Sequence, residues 1–542
     1  MKNKNIVDQL TQHIIHIISE TNGISLSNTL ELLAYSPEVE KNHAAKNLIT
    51  EFRTLLMGFQ QEEIDIKTIL HHPVSLALFK FFKAFPIPYF EEHIHLTGSL
   101  TADFIFPYLM KLLTGPDKKI YSEKISQIYG KDSLPISSVE DVKKLITLKD
   151  HEHFKEYLNI LFLPKLILTN KETHAAASFH MATELYYKYN VASIKLKFTL
   201  SRSTSMEGEN IPGVKHLTEE DVVLGLYQGF KNFQKDHPNF KFILSPCFRK
   251  EADFFDESQF TTKKDHFIHQ VDSILKLIQR HPELKNCLSE VDTVGDEKNL
   301  YRKIHFEEMK SGFRKLQYNG FKIRSHHGET WKNLRKGVQS VDNSMNIWHI
   351  DTLEHGLSLG INPNFYFHRL YQRVIATNKK GDKITNGTQE YAELDDMEWH
   401  DPAVKKKLFS GELLNITEKT SFLKTKFHTA REIEHYQHDV LNRMINKKVS
   451  LVALPSSNLK LTGNFPDYKD HPFTWWEKKG VRLGVGTDNY ITLDTNFIQE
   501  MLILLYSDPD NLKITKLLMI VTKEKRRPFI SHLLWEMRKK NI

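Results

Sequence analysis

Two histidines one residue apart, His93 and His95 in EHIHL (Glu92–Leu96), end an apolar run. Four other stretches end apolar runs in the same way: VDTVGDE (Val291–Glu297), SHHGE (Ser325–Glu329), LEHG (Leu353–Gly356) and GTDN (Gly486–Asn489). Together they supply the His-x-His pair, His326, His355, Glu329 and Asp488. Three neutral imidazoles and one carboxylate suit Zn²⁺ or a similar divalent ion. Such an ion lowers the pKa of a bound water from ~15.7 toward ~7, so hydroxide exists at neutral pH. A neighbouring carboxylic acid can then pass a proton to a substrate. His93 and His95 alternate along a strand and therefore share a side of it. Taken singly each residue says little; their order along the chain says more.

For these stretches to meet, one element after another must deliver them to a common end. From Pro88 onward, short apolar β-rich runs alternate with longer helical segments. The predicted strands are Phe90–Leu96, Ser193–Leu200, Phe240–Pro246, Cys287–Val294, Phe321–His327, Ile350–Glu354, Ser450–Leu454 and Val481–Gly486. Eight strand–helix units predict an α/β fold, a (β/α)8 TIM barrel whose strand C-termini converge on one mouth. Residues 1–88 read as an N-terminal helical extension, with Leu48, Phe52, Leu55, Leu56 and Phe59 forming one apolar stripe. Residues 89–542 read as the barrel. Two connections are oversized: Thr101–Asn170, which is expected to cover the mouth, and an insertion over about 361–430 that precedes a crossover helix at Arg431–Asn446. Long additions at this end of a barrel serve as lids or subunit contacts. The N-terminal helices and the insertion are thus the candidate surfaces for a homo-oligomer.

Composition removes several classes. The 542 residues are 40% hydrophobic and 26% charged, as in ordinary globular chains. There is no apolar run of ~18 residues for a membrane span and no secretory signal at the start. Cys247 and Cys287 are the only cysteines; a disulfide framework is excluded, and a reducing cytoplasm is the natural setting. The net charge of +7 is dispersed, and the basic run Lys523–Arg527 reads as a solvated helix face. No basic stripe interleaved with aromatics marks a nucleic-acid track. Ser456 and Ser457 lack the G-x-S-x-G elbow of a serine nucleophile.

With these stretches in hand, the chain resembles the adenosine deaminase family of the metal-dependent amidohydrolase superfamily. The family's H-x-H-L-D-G appears as HIHLTG (His93–Gly98), D-L-A-G-D-E as DTVGDE (Asp292–Glu297), H-A-G-E as HHGE (His326–Glu329) and G-H-G as EHG (Glu354–Gly356). P-x-S-N-x-x-T appears as PSSNLKLT (Pro455–Thr462), followed by His471-Pro472, and T-D-D-P as TDNY (Thr487–Tyr490). The resemblance runs in order from about Pro88 to about Leu502 and omits the N-terminal helices and the insertion. It implies one Zn²⁺ per chain, or another divalent metal, held by His93, His95, His326 and Asp488. It also implies a small-molecule purine substrate, deaminated at C6 with loss of ammonia. In that scheme Glu329 protonates purine N1, His355 orients the hydroxide, Gly295 presents its backbone N–H to N3, and Asp292 supports the same strand end.

The departures fall where the family reads its substrate. Asn489 stands where a second aspartate contacts purine N7, and an amide can donate there instead. Tyr490 replaces a proline. Thr97 replaces the aspartate on the ribose side; it, His95, Gly295 and Asn489 are the expected substrate contacts. His327 replaces a small residue and, by alternation, faces away from His326 as a packing residue. Two other readings remain: a metal-dependent amidohydrolase with a different substrate, and a non-catalytic component of an oligomeric assembly.

Overall fold

The computed structural model describes residues 2–149, 154–200, 217–463 and 467–540. Eight parallel strands follow one another in chain order: β1 (Tyr89–His95), β2 (Val191–Thr199), β3 (Lys241–Arg249), β4 (Glu290–Val294), β5 (Lys322–His327), β6 (Thr352–His355), β7 (Ser450–Ala453) and β8 (Arg482–Val485). Each pairs with the next. The ring closes between β8 and β1, where His95 N–H donates to the Asp488 carbonyl (2.7 Å) and Asp488 N–H to the His93 carbonyl (2.9 Å). This is the expected (β/α)8 barrel. Ile194, Leu196, Val291, Ile323, Leu353, Leu451 and Leu483 are buried beneath the surrounding helices.

The barrel interior departs from the usual layers of branched apolar side chains. Lys197, Glu290, Asp292, Arg324 and Glu354 are buried there as one ion network. Arg324 bridges Glu354 (2.5 Å) and Glu290 (3.0 Å), and Lys197 bridges Glu354 (2.9 Å) and Asp292. A register shift in β1 between Glu91 and Ile94 lets adjacent residues both join it: Glu92 meets Lys195 (3.1 Å), and His93 meets Glu354 (2.8 Å). Charges this deeply buried persist because each has partners on both sides.

The N-terminal helices Lys2–Glu20, His43–Gln60 and Pro73–Lys83 share the barrel's apolar core and lean on its C-terminal helices. Gln60 donates to the Tyr506 carbonyl (2.7 Å), and Ser75 shares a hydrogen bond with the Tyr506 hydroxyl (2.7 Å). The insertion is helical: Pro363–Lys379, Gln389–Asp396 and Pro402–Ser410. The helix that returns the chain to β7 is Ile416–Asn446, starting well before Arg431 because an Asn415/Glu418 capping box launches it. These helices build an apolar cluster of their own around Phe367, Leu370, Leu394, Leu408 and Phe422. Lys523 does not sit on a solvated helix face; it ends the helix Ile514–Thr522 and pairs with Glu92 (2.9 Å). Among the described residues, no helix is long and apolar enough to cross a membrane.

Candidate metal centre and active site

The mouth of the barrel gathers the ends of β1, β5, β6 and β8. His93 Nε2 lies 3.2 Å from His95 Nε2, and His95 Nε2 lies 3.4 Å from His326 Nε2. Asp488 Oδ1 stands 3.7 Å from His93 Nε2 and 3.5 Å from His95 Nε2. A tetrahedral ion with bonds of ~2.0–2.1 Å requires its ligand atoms about 3.3 Å apart. The far nitrogens decide the tautomers. His93 Nδ1 faces Glu354 Oε2 (2.8 Å), and His326 Nδ1 faces Asp292 Oδ1 (3.2 Å). Each carboxylate takes an Nδ1–H, so both Nε2 atoms are left as lone pairs aimed at the same small space. Lone pairs so placed repel unless a cation lies among them, and carboxylate-backed imidazoles of this kind are ordinary metal ligands. The residues therefore fit a divalent metal.

Electrostatics agree. Burial holds the imidazoles of His93, His95 and His355 well below the ordinary histidine range, so they are neutral and able to ligate. Burial also pushes Asp292 and Glu354 upward, but cations outweigh it: Lys197 beside Asp292, and Arg324 with Lys197 beside Glu354. Both are held low and ionised. Asp488 is fixed by Ser457 Oγ–H donating to Oδ2 (2.5 Å) and by the Asn489 amide donating to Oδ1 (2.5 Å).

His355 and Glu329 border this cluster. His355 ends β6 at φ 66° and Asp488 follows β8 at φ 60°. These left-handed conformations cost roughly 1–3 kcal/mol for a residue with a side chain, and they persist where surrounding structure over-determines them. The Asn458 amide donates to His355 Nδ1 (3.0 Å), which leaves Nε2–H as a donor facing Glu329 Oε2 at 3.8 Å. Burial pushes the Glu329 carboxyl up to about 7, with the His326 ring opposing and the Asp488 carboxylate reinforcing. A carboxylic acid that is half protonated near neutrality is suited to proton transfer.

The residues expected to read the substrate are placed differently from one another. Thr97 opens a short turn, Thr97–Ser99, two residues after His95, and is half-buried. Gly295 follows β4 at φ 109°, and a Cβ there would lie 2.2 Å from Glu251 Oε2, so only glycine fits. Asn489 is fully buried, and its amide donates to Tyr157 OH (2.5 Å) as well as to Asp488. Gly98 lets it sit there, since a Cβ on Gly98 would fall 1.9 Å from Asn489 Oδ1. Tyr490 is buried against Tyr189. His327 faces away from the cluster, onto Ser325 Oγ (2.6 Å), Phe306 and Trp348.

Several contributors went unassigned from sequence. Glu354 and Glu297 lie inside the quoted motifs, but their roles depend on partners far along the chain. Glu297 accepts the backbone N–H groups of Gly328 (2.9 Å), Glu329 (2.6 Å) and Thr330 (2.7 Å), pinning the loop that carries Glu329. Lys197 sits on a strand that matched no motif. Tyr157 comes from the helix Phe154–Ile160 in the oversized connection after β1, which carries no local signal.

Two adenosine deaminases of Clostridium perfringens are 21% and 22% identical to this chain over 371 residues, covering 66% of it and 92% of each of them. The similarity supports an adenosine deaminase-like amidohydrolase. No family model matches the chain. Among solved structures, the chain is similar to adenine deaminase from Arthrobacter aurescens, with 11% identity and a TM-score of 0.47 over 84% of this chain and 99% of that one. It is also similar to the N6-methyl-AMP deaminase of Arabidopsis thaliana, with 12% identity and a TM-score of 0.45 over 85% and 98%.

Proposed function

We propose that the protein is a divalent-metal-dependent hydrolytic deaminase, with zinc as the metal and a 6-aminopurine nucleoside, nucleotide or base as substrate. The observation that carries this reading is the convergence of three imidazole Nε2 atoms and the Asp488 carboxylate beside a carboxyl group poised near pH 7. His93, His95, His326 and Asp488 would hold the ion. When bound, the ion supplies hydroxide at neutral pH. Glu329 gives a proton to the ring nitrogen next to the attacked carbon, so that carbon accepts an oxygen without a full negative charge building on the ring. His355 Nε2–H donates to the attacking oxygen and fixes its approach. Gly295 N–H and the Thr97 and Asn489 side chains orient the base and its substituent. Water adds, the amine leaves as ammonia, and a 6-oxo product remains. A small soluble substrate, purine turnover and a cytoplasmic setting belong to the same proposal, as does self-association through the N-terminal helices or the insertion.

The test is ammonia release by metal-replete protein over adenosine, deoxyadenosine, AMP, adenine and modified adenosines, with Glu329→Gln as control. Release from at least one compound, lost in the control, is expected. No release from any of them would overturn the reading. The burial of Asn489 between Asp488 and Tyr157 favours one alternative, hydrolysis of a different substrate by the same centre; an untargeted metabolite screen with product identification separates the two.

A further inference from the structure

The insertion reaches the loop that carries Glu329. That loop runs from the end of β5 to the helix Leu334–Asn343, and it is clamped at both ends. Its first half hangs on Glu297, as described above. Its second half hangs on the insertion. Leu334 N–H, in the first turn of the helix, donates to Glu393 Oε1 (2.8 Å), and the Tyr366 hydroxyl donates to the same oxygen (2.6 Å). Trp331 Nε1–H donates to Tyr366 OH (3.2 Å), as does the Gln389 amide (3.0 Å). The Asn333 amide reaches the Ala392 carbonyl (3.4 Å), and Arg335 pairs with Asp396 (3.0 Å) and Glu432 (3.0 Å). Trp331 and Leu334 are themselves members of the insertion's apolar cluster.

The centre of this contact is buried, with the Arg335 pairs at its partly exposed rim. Glu393 is 2% exposed, Trp331 3%, and Asn333 and Leu334 0%. A helix leaves its first amides without partners inside itself, and a buried amide must find an acceptor. Asn333 caps one of them through its side chain, on Lys336 N–H (3.0 Å), and Glu393 takes another from a segment that the barrel pattern does not include. A barrel without the insertion would leave that amide, the Trp331 N–H and the Trp331 ring without these partners.

We infer that the insertion is part of the catalytic apparatus: Glu393 and Tyr366 are positioning residues that hold the 328–334 loop, and with it Glu329, against the metal centre. This rests on the reading of Glu329 as proton donor. Misplacing such a group by about 1 Å costs on the order of 10²-fold in rate, so small slack in the loop is enough to matter.

The test uses full-length, metal-replete protein with Glu393→Ala, Glu393→Gln and Tyr366→Phe. Three quantities are measured: amide hydrogen exchange over residues 328–334, bound metal, and the kcat and KM of ammonia release. Glu393→Ala is expected to speed exchange at residues 331–334 by about tenfold or more and to lower kcat by roughly tenfold or more. Bound metal should stay at one per chain and KM within about twofold, because neither the ligands nor the substrate-reading loops move. Glu393→Gln, which keeps an acceptor, should recover most of both effects. If Glu393→Ala does not fold, Tyr366→Phe carries the test, with a smaller effect in the same direction. Unchanged exchange would overturn the inference, and so would faster exchange with unchanged kcat, which marks a purely structural contact. If wild type releases no ammonia from any purine, the functional reading fails, and the exchange result alone decides whether the insertion holds this loop.

Discussion

The proposed ligand cluster and the positions proposed to read the substrate sit at the same mouth but are built in opposite ways. His93, His95 and His326 lie on strands, and two of them are oriented from behind by carboxylates that Lys197 and Arg324 neutralise. Thr97, Gly295 and Asn489 lie on turns after strands; Gly295 faces Glu251, and Asn489 is tied to Tyr157 of an oversized connection. Under the proposed function, the barrel would fix the chemistry and leave recognition to loops that can vary without disturbing it.

The comparison breaks first at the ligands. His326→Ala and Asp488→Ala are each expected to abolish stoichiometric metal binding and to lower activity by roughly 10³-fold or more; full metal occupancy in either variant would show that the cluster is not the site. Next comes Glu329→Gln, with a loss of about 10²–10⁴-fold in kcat and no loss of metal. Co-purified metal measured beside the rate separates it from the ligand variants. Lys197→Met tests the support behind the ligands. It leaves the Asp292 and Glu354 carboxylates buried with one cation fewer, so chelator competition should show metal affinity weaker by roughly 10–100-fold; an unchanged affinity would mean the network is structural filling.

A smaller effect sharpens the proton-transfer role. In metal-free protein Glu329 is expected to titrate near its raised value of about 7, protonated below and ionised above, and a bound cation should draw that midpoint down. The activity of the loaded enzyme should therefore decline on the alkaline side of the Glu329 midpoint. A pH profile that is indifferent to Glu329→Gln would remove it from the reaction. Smallest of all is Asn489→Asp, which should change the ranking of substrates in the ammonia panel by several-fold while leaving metal content alone. Loss of metal in that variant would blur the division between the two regions.

Much of this was legible in the sequence. Strands covered by helices stand out as short apolar runs, and all eight were placed within a few residues, β7 starting at Ser450 as predicted. β4 starts later than predicted because Pro282–Asn286 forms a 3₁₀ turn and Cys287–Ser289 is spent leaving it. The long return helix was recognised only in its second half. The buried face of its first half includes Thr425, Lys426 and Thr429, so the apolar period is broken where the helix packs on the insertion. The His, Asp and Glu positions at the mouth were readable because each ends an apolar run. The ion network and the Glu393–Tyr366 node were not, since their partners are brought together only when the barrel closes and the insertion folds back.

The Lys523–Glu92 pair has a consequence for anyone shortening this polypeptide. Glu92 shares Lys195 and Arg324 with Glu290, and Arg324 leads on to Glu354 and His93. A version trimmed ahead of Lys523 withdraws positive charge from the floor of the molecule, and the remaining cations must compensate an extra acid beneath the histidines. The same cut removes Ile530, Leu534 and Met537 of the helix Arg527–Lys539 from the apolar core, so packing is weakened together with the grip on an ion.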